Sequence, residues 1–215
     1  MIDKSRKIQI LDQASLGAAL RALASVEPRF SAVIERHGPP PLWPREPGFA
    51  TLALLMLEQQ VSLAQARAMY ARLEKATGGI TSRKVAKLGE AGMRAIGITR
   101  QKSGYLAVLA AELNSGALDL KAIGALADDA AVKALDDLHG VGPWTAQCYL
   151  LFALRRPDVF PTADLALVEA VRQLWTLRAR PSPAAIERRA SAWRPYRSVA
   201  ARLLWHHYLS EKARR

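Results

Sequence analysis

The residues best suited to chemistry lie between Leu135 and Asp164. Here a two-glycine turn, His139-Gly140-Val141-Gly142, separates two apolar stretches, and Pro143 follows it. Glycine allows a tight turn and a close approach of a ligand to the backbone, and proline is well placed at the first position of a helix. The N–H groups at such a helix start can bind a phosphate. The pattern indicates a sequence-independent clamp for the DNA backbone, although a structural hairpin would look the same.

A single carboxylate follows this segment. Asp164 lies ten residues beyond Leu154, at the predicted start of a new helix. A carboxylate can stabilise positive charge that develops on a sugar, and it can orient or deprotonate an attacking water. An aspartate at a helix start can equally be a simple N-cap. Taken alone, Asp164 leaves both readings open.

The elements that must position these groups are helices. Apolar residues recur at spacings of three and four nearly throughout, which predicts an all-α fold. We expect Ser15 to cap the first helix, Pro28 to interrupt it and Ser62 to cap another. The proline-rich segment 37–48 is predicted to be an extended connector. Later helices are expected over 164–175, 183–193 and 197–210.

The charge of the chain points to a polyanionic partner. With 31 Lys and Arg against 19 Asp and Glu, the 215 residues carry a net charge of +12. Residues 178–215 hold ten basic and two acidic residues, a net +8, and a second basic stretch runs from Arg83 through Arg100 to Lys102. Basic helix faces can also be merely solvated, so the charge alone does not identify nucleic acid as the partner.

Several classes of protein are excluded by the composition. No apolar stretch approaches the roughly 18 residues of a membrane helix, and the first residues lack the apolar core of a signal peptide. We therefore expect a cytoplasmic protein without membrane contact, associated with the nucleoid if it is bacterial. The single cysteine, Cys148, cannot form an internal disulfide or a four-cysteine metal or iron–sulfur site.

Several motifs in one order carry a family resemblance. The hairpin, an apolar helix and Val159-Phe-Pro-Thr-Ala-Asp164 resemble the helix-hairpin-helix DNA glycosylases of base-excision repair. Three more segments, 57–67, 97–106 and 193–205, make the chain similar to the 3-methyladenine DNA glycosylase II type over about residues 40–208. The chain resembles the compact form of that type, without the additional β-rich domain of larger members.

The resemblance implies how the chemistry is carried out. Asp164 stands at the position of the family's catalytic aspartate. Relatives that also cut the DNA strand carry a lysine nucleophile two residues past the second glycine, where this chain has Trp144. The resemblance therefore implies a monofunctional enzyme, because no amine is available there for a Schiff base.

The resemblance also implies a pocket and a wedge. Trp144 and Tyr196 match aromatic residues that stack on the extruded base, and Trp43 could line the same cleft. Gln60 matches the side chain that fills the gap left in the DNA stack. Core packing of the aromatic residues, and a purely local role for Gln60 in the loop, are the alternative interpretations.

Contacts to the DNA backbone are expected from the hairpin and from Arg197, which could instead brace Asp164. The hairpin contacts are assigned to His139, Gly140, Val141, Gly142 and Thr145. Carbonyl groups of Leu138 and Val141 could hold a monovalent cation, as such hairpins often do. The adjacent His206 and His207 are assigned structural roles.

Together these features predict two helical lobes with the active-site cleft between them. One lobe is expected to comprise about residues 1–45 and 165–215, and the other about 50–155, with the hairpin motif at 131–154. The expected activity is hydrolytic excision of alkylated purines, chiefly 3-methyladenine and 7-methylguanine, from double-stranded DNA by a monomer without a cofactor. Excision of hypoxanthine or ethenoadenine, or a non-catalytic DNA-binding module, are the alternatives.

Overall fold

A computed structural model describes residues 9–214, and in this range the regular secondary structure consists of helices, without a β-strand. The prediction of an all-α fold is confirmed. The helices are, in chain order, α1 (Gln13–Val26), α2 (Pro28–His37), α3 (Phe49–Glu58), α4 (Leu63–Thr77), α5 (Ser82–Ala95), α6 (Arg100–Ser115), α7 (Leu120–Gly124), α8 (Asp128–Asp136), α9 (Pro143–Phe152), α10 (Leu165–Leu174), α11 (Pro183–Ala190) and α12 (Arg197–Ala213), with a 3-10 turn at Ser191–Trp193.

The helix starts follow their capping residues. Ser62 caps α4 as predicted, in a reciprocal capping box with Gln65. The prediction for α1 was wrong, because its N-cap is Asp12, whose carboxylate accepts a hydrogen bond from the amide of Ser15. Ser15 is the third helical residue and completes the box by bonding back to the amide of Asp12. The short helix α7 was not predicted, since five residues are too few to show a helical period.

The described chain divides into two compact units. Unit 1 contains the residues up to Pro44 together with those from Leu154 onward, and unit 2 is the continuous segment Arg45–Ala153. The segment 154–164, which leads to Asp164, belongs to unit 1. The hairpin lies in unit 2.

Unit 2 is built around α3 and α9. Helix α3 is apolar on nearly every side, with Leu52, Leu55 and Leu57 fully buried, and it packs against α4, α6 and α9. Such a helix gains most of its stability from burial on several faces. Helix α8 packs against α9, so the two arms of the hairpin are held by the same core.

Unit 1 is built around α12. This helix packs against α1, α2 and α10, and its residues from Ser198 to Trp205 are all buried. A charged residue, Arg202, lies within this buried run. No helix within residues 9–214 has the length and apolar character needed to cross a lipid bilayer.

Candidate functional site

The hairpin turn between α8 and α9 depends on Gly140. The amide of Val141 donates to the carbonyl of Leu138 at 3.0 Å and closes the turn. Gly140 has a φ of +82°, and a Cβ there would collide with the ring of Tyr105. That ring packs edge-on against the exposed His139, with 4.9 Å between the ring centroids. Both the backbone conformation and the packing therefore require glycine at position 140.

Gly142 has a different role from Gly140. Its φ is −103°, which any residue can adopt, and a Cβ there would meet no protein atom within 4 Å. Gly142 is the N-cap of α9, and no side chain of the described residues caps the first turn of that helix. Since neither folding nor packing requires a glycine here, the position suits the close approach of an anion to the helix start.

The side chain of Gln59 ties the hairpin to the turn between α3 and α4. Its Nε2 donates to the carbonyl of Gly140 at 2.9 Å and to the hydroxyl of Thr145 at 2.8 Å. Thr145 is 1% exposed, so its hydroxyl lies inside unit 2 instead of facing a phosphate. A contact of Thr145 with the DNA backbone would therefore come from its amide at the start of α9, and this contact stays a prediction. The side chain of Val141 is likewise buried.

Lys102 supports the same turn from α6. Its ammonium donates to the carbonyls of Leu57, at 2.5 Å, and of Gln59, at 2.9 Å. The residue is 9% exposed, and burial lowers the pKa of its side chain. The sequence had counted Lys102 in a basic surface stretch. The structure instead places it as an internal cap on the C-terminal carbonyls of α3.

Gln60 follows at the tip of this turn. It is exposed and has a φ of +56°, a conformation that is uncommon outside glycine. Val61 and Leu63, the neighbouring apolar residues, are 36% and 49% exposed. The predicted wedge therefore projects from an apolar tip whose base is held by Gln59 and Lys102.

Asp164 lies in unit 1, where it caps α10. Its Oδ1 accepts hydrogen bonds from the amides of Ala166 and Leu167, each at 2.9 Å, and from the indole Nε1 of Trp205 at 3.0 Å. The N-cap interpretation of Asp164 is confirmed, and its catalytic role stays a prediction. Trp205 is 8% exposed. Its bond to Asp164 is not predictable from the sequence, because the two residues are 41 positions apart.

Helix α12 also fixes the peptide beside Trp43. The guanidinium of Arg202 donates to the carbonyl of Leu42 at 2.9 Å and to that of Ser198 at 3.1 Å. Arg202 is fully buried, and burial lowers its pKa to about 10. Trp43 itself is half-buried and has a φ of +47°. A charge inside an apolar helix run is usually paired, and this was the available sequence signal for Arg202.

Arg197 is engaged within unit 1. Its Nε donates to Oδ1 of Asp158 at 2.8 Å, and its Nη2 donates to Oδ2 at 3.0 Å. Arg194 pairs with the same carboxylate. The two arginines flank Tyr196, which is half-buried. The structure shows Arg197 bracing Asp158 and the loop of Tyr196, and it shows Trp205 as a side-chain donor to Asp164. Contact of Arg197 with the DNA backbone stays a prediction.

The predicted site residues divide between the two units. Unit 1 carries Asp164 and two of the predicted pocket aromatics, Trp43 and Tyr196. Helix α12 donates hydrogen bonds to Asp164 and to the carbonyl before Trp43, and it begins directly after Tyr196. Unit 2 carries Trp144, which is half-buried at the start of α9, and Gln60. The carbonyl of Leu138 accepts the turn hydrogen bond and has a second lone pair, so the expected cation site stays a prediction.

Comparison with known proteins identifies the family. A profile described as "HhH-GPD superfamily base excision DNA repair protein" matches residues 54–195, which include the hairpin and Asp164. The chain belongs to this superfamily. The match also covers Gln59, Lys102 and Arg194, whereas Arg202 and Trp205 lie beyond it.

Two curated relatives of the chain have names that include the words DNA-3-methyladenine glycosylase. YfjP of Bacillus subtilis is 28% identical over 184 residues, which cover 82% of this chain and 64% of YfjP. The DNA-3-methyladenine glycosylase of the same bacterium is 27% identical over 169 residues, covering 73% of this chain and 56% of that enzyme. The chain thus spans less than two thirds of the length of either relative.

Solved structures share the fold. The 3-methyladenine DNA glycosylase Mag1 of Schizosaccharomyces pombe, in complex with abasic DNA, superimposes with a TM-score of 0.80 at 23% identity, covering 87% of this chain and 95% of Mag1. An 8-oxoguanine glycosylase/lyase of Clostridium acetobutylicum bound to DNA gives 0.77 at 20% identity, covering 92% and 70%. The same fold is therefore found in glycosylases that are named for different bases.

The two hairpin glycines allow a matched test. We predict that Gly140→Ala lowers the free energy of unfolding by roughly 2–4 kcal/mol, because it combines strained backbone with a collision. Gly142→Ala should cost less than about 1 kcal/mol but should weaken binding to an abasic-site duplex about tenfold by keeping phosphate from the amides. Denaturant unfolding and fluorescence anisotropy measure the two effects. Equal losses of stability in both variants would contradict this division of roles.

Proposed function

We propose that this protein is a monofunctional DNA glycosylase that excises alkylated purines from duplex DNA. The observation that carries the proposal is the anchored carboxylate of Asp164, which is held by two backbone amides and an indole. Family membership and the names of the curated relatives support the same activity. DNA that contains 3-methyladenine or 7-methylguanine is the proposed substrate.

In the proposed reaction the bond between C1′ of the sugar and the purine nitrogen breaks first. Its electron pair stays with the base, which leaves as a neutral molecule because alkylation had made it cationic. The carboxylate of Asp164 stabilises the positive charge that develops on the sugar. A water then forms the new bond to C1′, and its proton passes to Asp164 or to solvent.

The proposed pocket needs little more than aromatic surface. The electron-rich rings of Trp144 and Tyr196 would attract a cationic base, at roughly 0.5–2 kcal/mol per contact. Alkylation also weakens the bond to the sugar, so modest stabilisation by one carboxylate is sufficient. The indole at position 144 offers no nucleophilic amine, which favours release of the base without cleavage of the strand.

The hairpin and the turn of Gln60 supply the proposed DNA contacts. The bare start of α9 would bind a phosphate through backbone amides. The amide of Gln60 would enter the stack where the base has left and hydrogen-bond the orphaned partner base. Because Gln59 contacts both elements, the phosphate and the gap would be engaged in a fixed register.

The first test removes the charge of Asp164. We expect Asp164→Asn to reduce release of 3-methyladenine by roughly 100-fold or more, because an amide does not stabilise the developing cation. Asparagine is as good an N-cap as aspartate, so the free energy of unfolding should change by less than about 1 kcal/mol. Chromatography of bases released from methylated duplex DNA measures the activity.

Affinity for an abasic duplex controls for folding and binding in that experiment. It should be retained in Asp164→Asn, and the wild-type product strand should stay intact until alkali is added. Release of no base by the wild-type protein would indicate a non-catalytic DNA-binding module. Release of hypoxanthine or ethenoadenine alone, from a lesion panel, would replace the proposed substrate but keep the mechanism.

A second test concerns the indole that contacts Asp164. Trp205→Phe keeps an aromatic ring but removes the N–H donor, so the carboxylate loses one of its three described anchors. We expect kcat for base release to fall about tenfold, equivalent to ~1.4 kcal/mol in the barrier, while KM changes less than twofold. Trp175→Phe, the same substitution in the same unit, should leave both constants unchanged. A rise in KM of more than threefold together with the fall in kcat would point to loss of packing instead.

A third test measures the electrostatic share of binding. Neutralised phosphates release counterions, so the affinity for abasic DNA should fall with salt. We expect a slope of log Kd against log salt steeper than about 3 in magnitude, the value for three to four phosphate contacts. Fluorescence anisotropy at several salt concentrations gives this slope. A flat response would exclude the phosphate-clamp account.

A further inference from the structure

A cluster of metal-binding side chains lies in unit 1 at the end of α2. His37 is the last residue of α2, and His207 and Glu211 lie one turn apart on α12. One ligand atom from each of the three residues lies within 4.8 Å of the others. None of the three has a part in the proposed reaction.

The ligand atoms of this cluster are buried, and none of them makes a well-formed hydrogen bond. The side chain of His37 is 2% exposed, and His207 is 8% exposed. Within the described residues, His37 Nε2, His207 Nδ1 and Glu211 Oε1 are all shielded from solvent and form no hydrogen bond of acceptable geometry. Buried polar atoms are rarely left in this state. Three of them turned toward one another suggest a single shared partner.

The donor set and spacing fit Zn²⁺. His37 Nε2 and Glu211 Oε1 are 3.3 Å apart, and tetrahedral zinc with bonds of roughly 2.0–2.1 Å separates neighbouring ligand atoms by about 3.3–3.4 Å. A small side-chain adjustment of His207 would close the third bond. Two imidazoles and one carboxylate favour zinc over Mg²⁺ or Ca²⁺, which prefer oxygen ligands. We propose that His37, His207 and Glu211 form a structural zinc site.

Two arginines now occupy the outer side of Glu211. Arg36 lies 3.0 Å from Glu211 Oε1 with its side chain 57% exposed, and Arg214 lies at 3.8 Å with 53% exposed. Exposed ion pairs of this kind are weak, so the ion displaces them and takes over the charge of the carboxylate.

The ion would connect two parts of unit 1 that are far apart in the sequence. It would tie the end of α2, just before the proline segment of Trp43, to α12. The same helix carries Arg202 and Trp205, which contact Leu42 and Asp164. The proposed role is therefore stabilisation of the framework of unit 1, and it departs from the expectation that the protein carries no bound cofactor.

The test measures metal binding by tag-free protein after treatment with a chelator. We expect one equivalent of Zn²⁺ per chain by calorimetry and a rise in Tm of several degrees, and Co²⁺ should give the visible absorption of a tetrahedral site. Glu211→Gln, which keeps size and shape, should lower zinc affinity at least tenfold, as should His207→Gln. His139→Gln, a histidine outside the cluster, should bind zinc as the wild type does.

A variant with a higher zinc affinity distinguishes an effect on this site from a general loss of folding. Arg36→Gln removes the competing cation from Glu211 and should tighten zinc binding about threefold or more. No saturable binding to the wild-type protein would overturn the proposal, as would unchanged binding to the folded double variant His37→Gln/His207→Gln. Base release is not used as a readout, so failure of the proposed glycosylase activity would leave this result unaffected.

Discussion

The geometry of unit 2 depends on the amide of Gln59. Its two hydrogen bonds, to the carbonyl of Gly140 and the hydroxyl of Thr145, join the hairpin to a turn more than 80 residues earlier in the chain. Lys102 holds the same turn from α6, because its ammonium donates to the backbone carbonyl of Gln59. In the proposed function the hairpin binds a phosphate and Gln60 enters the base stack, so the two must keep a constant separation on DNA. These buried contacts, more than the exposed residues, set that separation.

In unit 1, helix α12 holds the predicted site residues in place, as Gln59 does in unit 2. One turn of this helix places Arg202 on the carbonyl before Trp43 and Trp205 on the carboxylate of Asp164. The proposed zinc site would extend the same arrangement by one more turn. The polar contacts of a buried helix are costly when incomplete, which is why a framework of this kind holds reactive groups in one orientation.

Much of this arrangement was predictable from the sequence, because the hairpin, the caps and the helical periods are local signals. Ser62, Pro28 and the extended proline segment show this directly. The partners of Gln59, Lys102 and Trp205 were not predictable, since each contacts a residue more than 40 positions away. The net charge also overstates how many cations are available to DNA, because burial and ion pairing depend on contacts that are distant in the sequence. Lys102 and Arg202 are inside the protein, and Arg197 is paired with Asp158, so these cations contribute less to DNA attraction than their number suggests.

Unit 1 is formed by two separate stretches of the chain, and this affects the order in which the two units can fold during synthesis. Unit 2 is one uninterrupted segment, and it can complete its contacts while the ribosome is still translating the remaining residues. Unit 1 must wait for α12, because both Asp164 and the peptide before Trp43 are held by residues beyond position 200. A chain that ended before α12 would keep the hairpin, but Asp164 would lack the indole donor of Trp205 and the carbonyl of Leu42 would lack the guanidinium of Arg202. Completion of unit 1 therefore depends on a helix that is synthesised after every residue of unit 2.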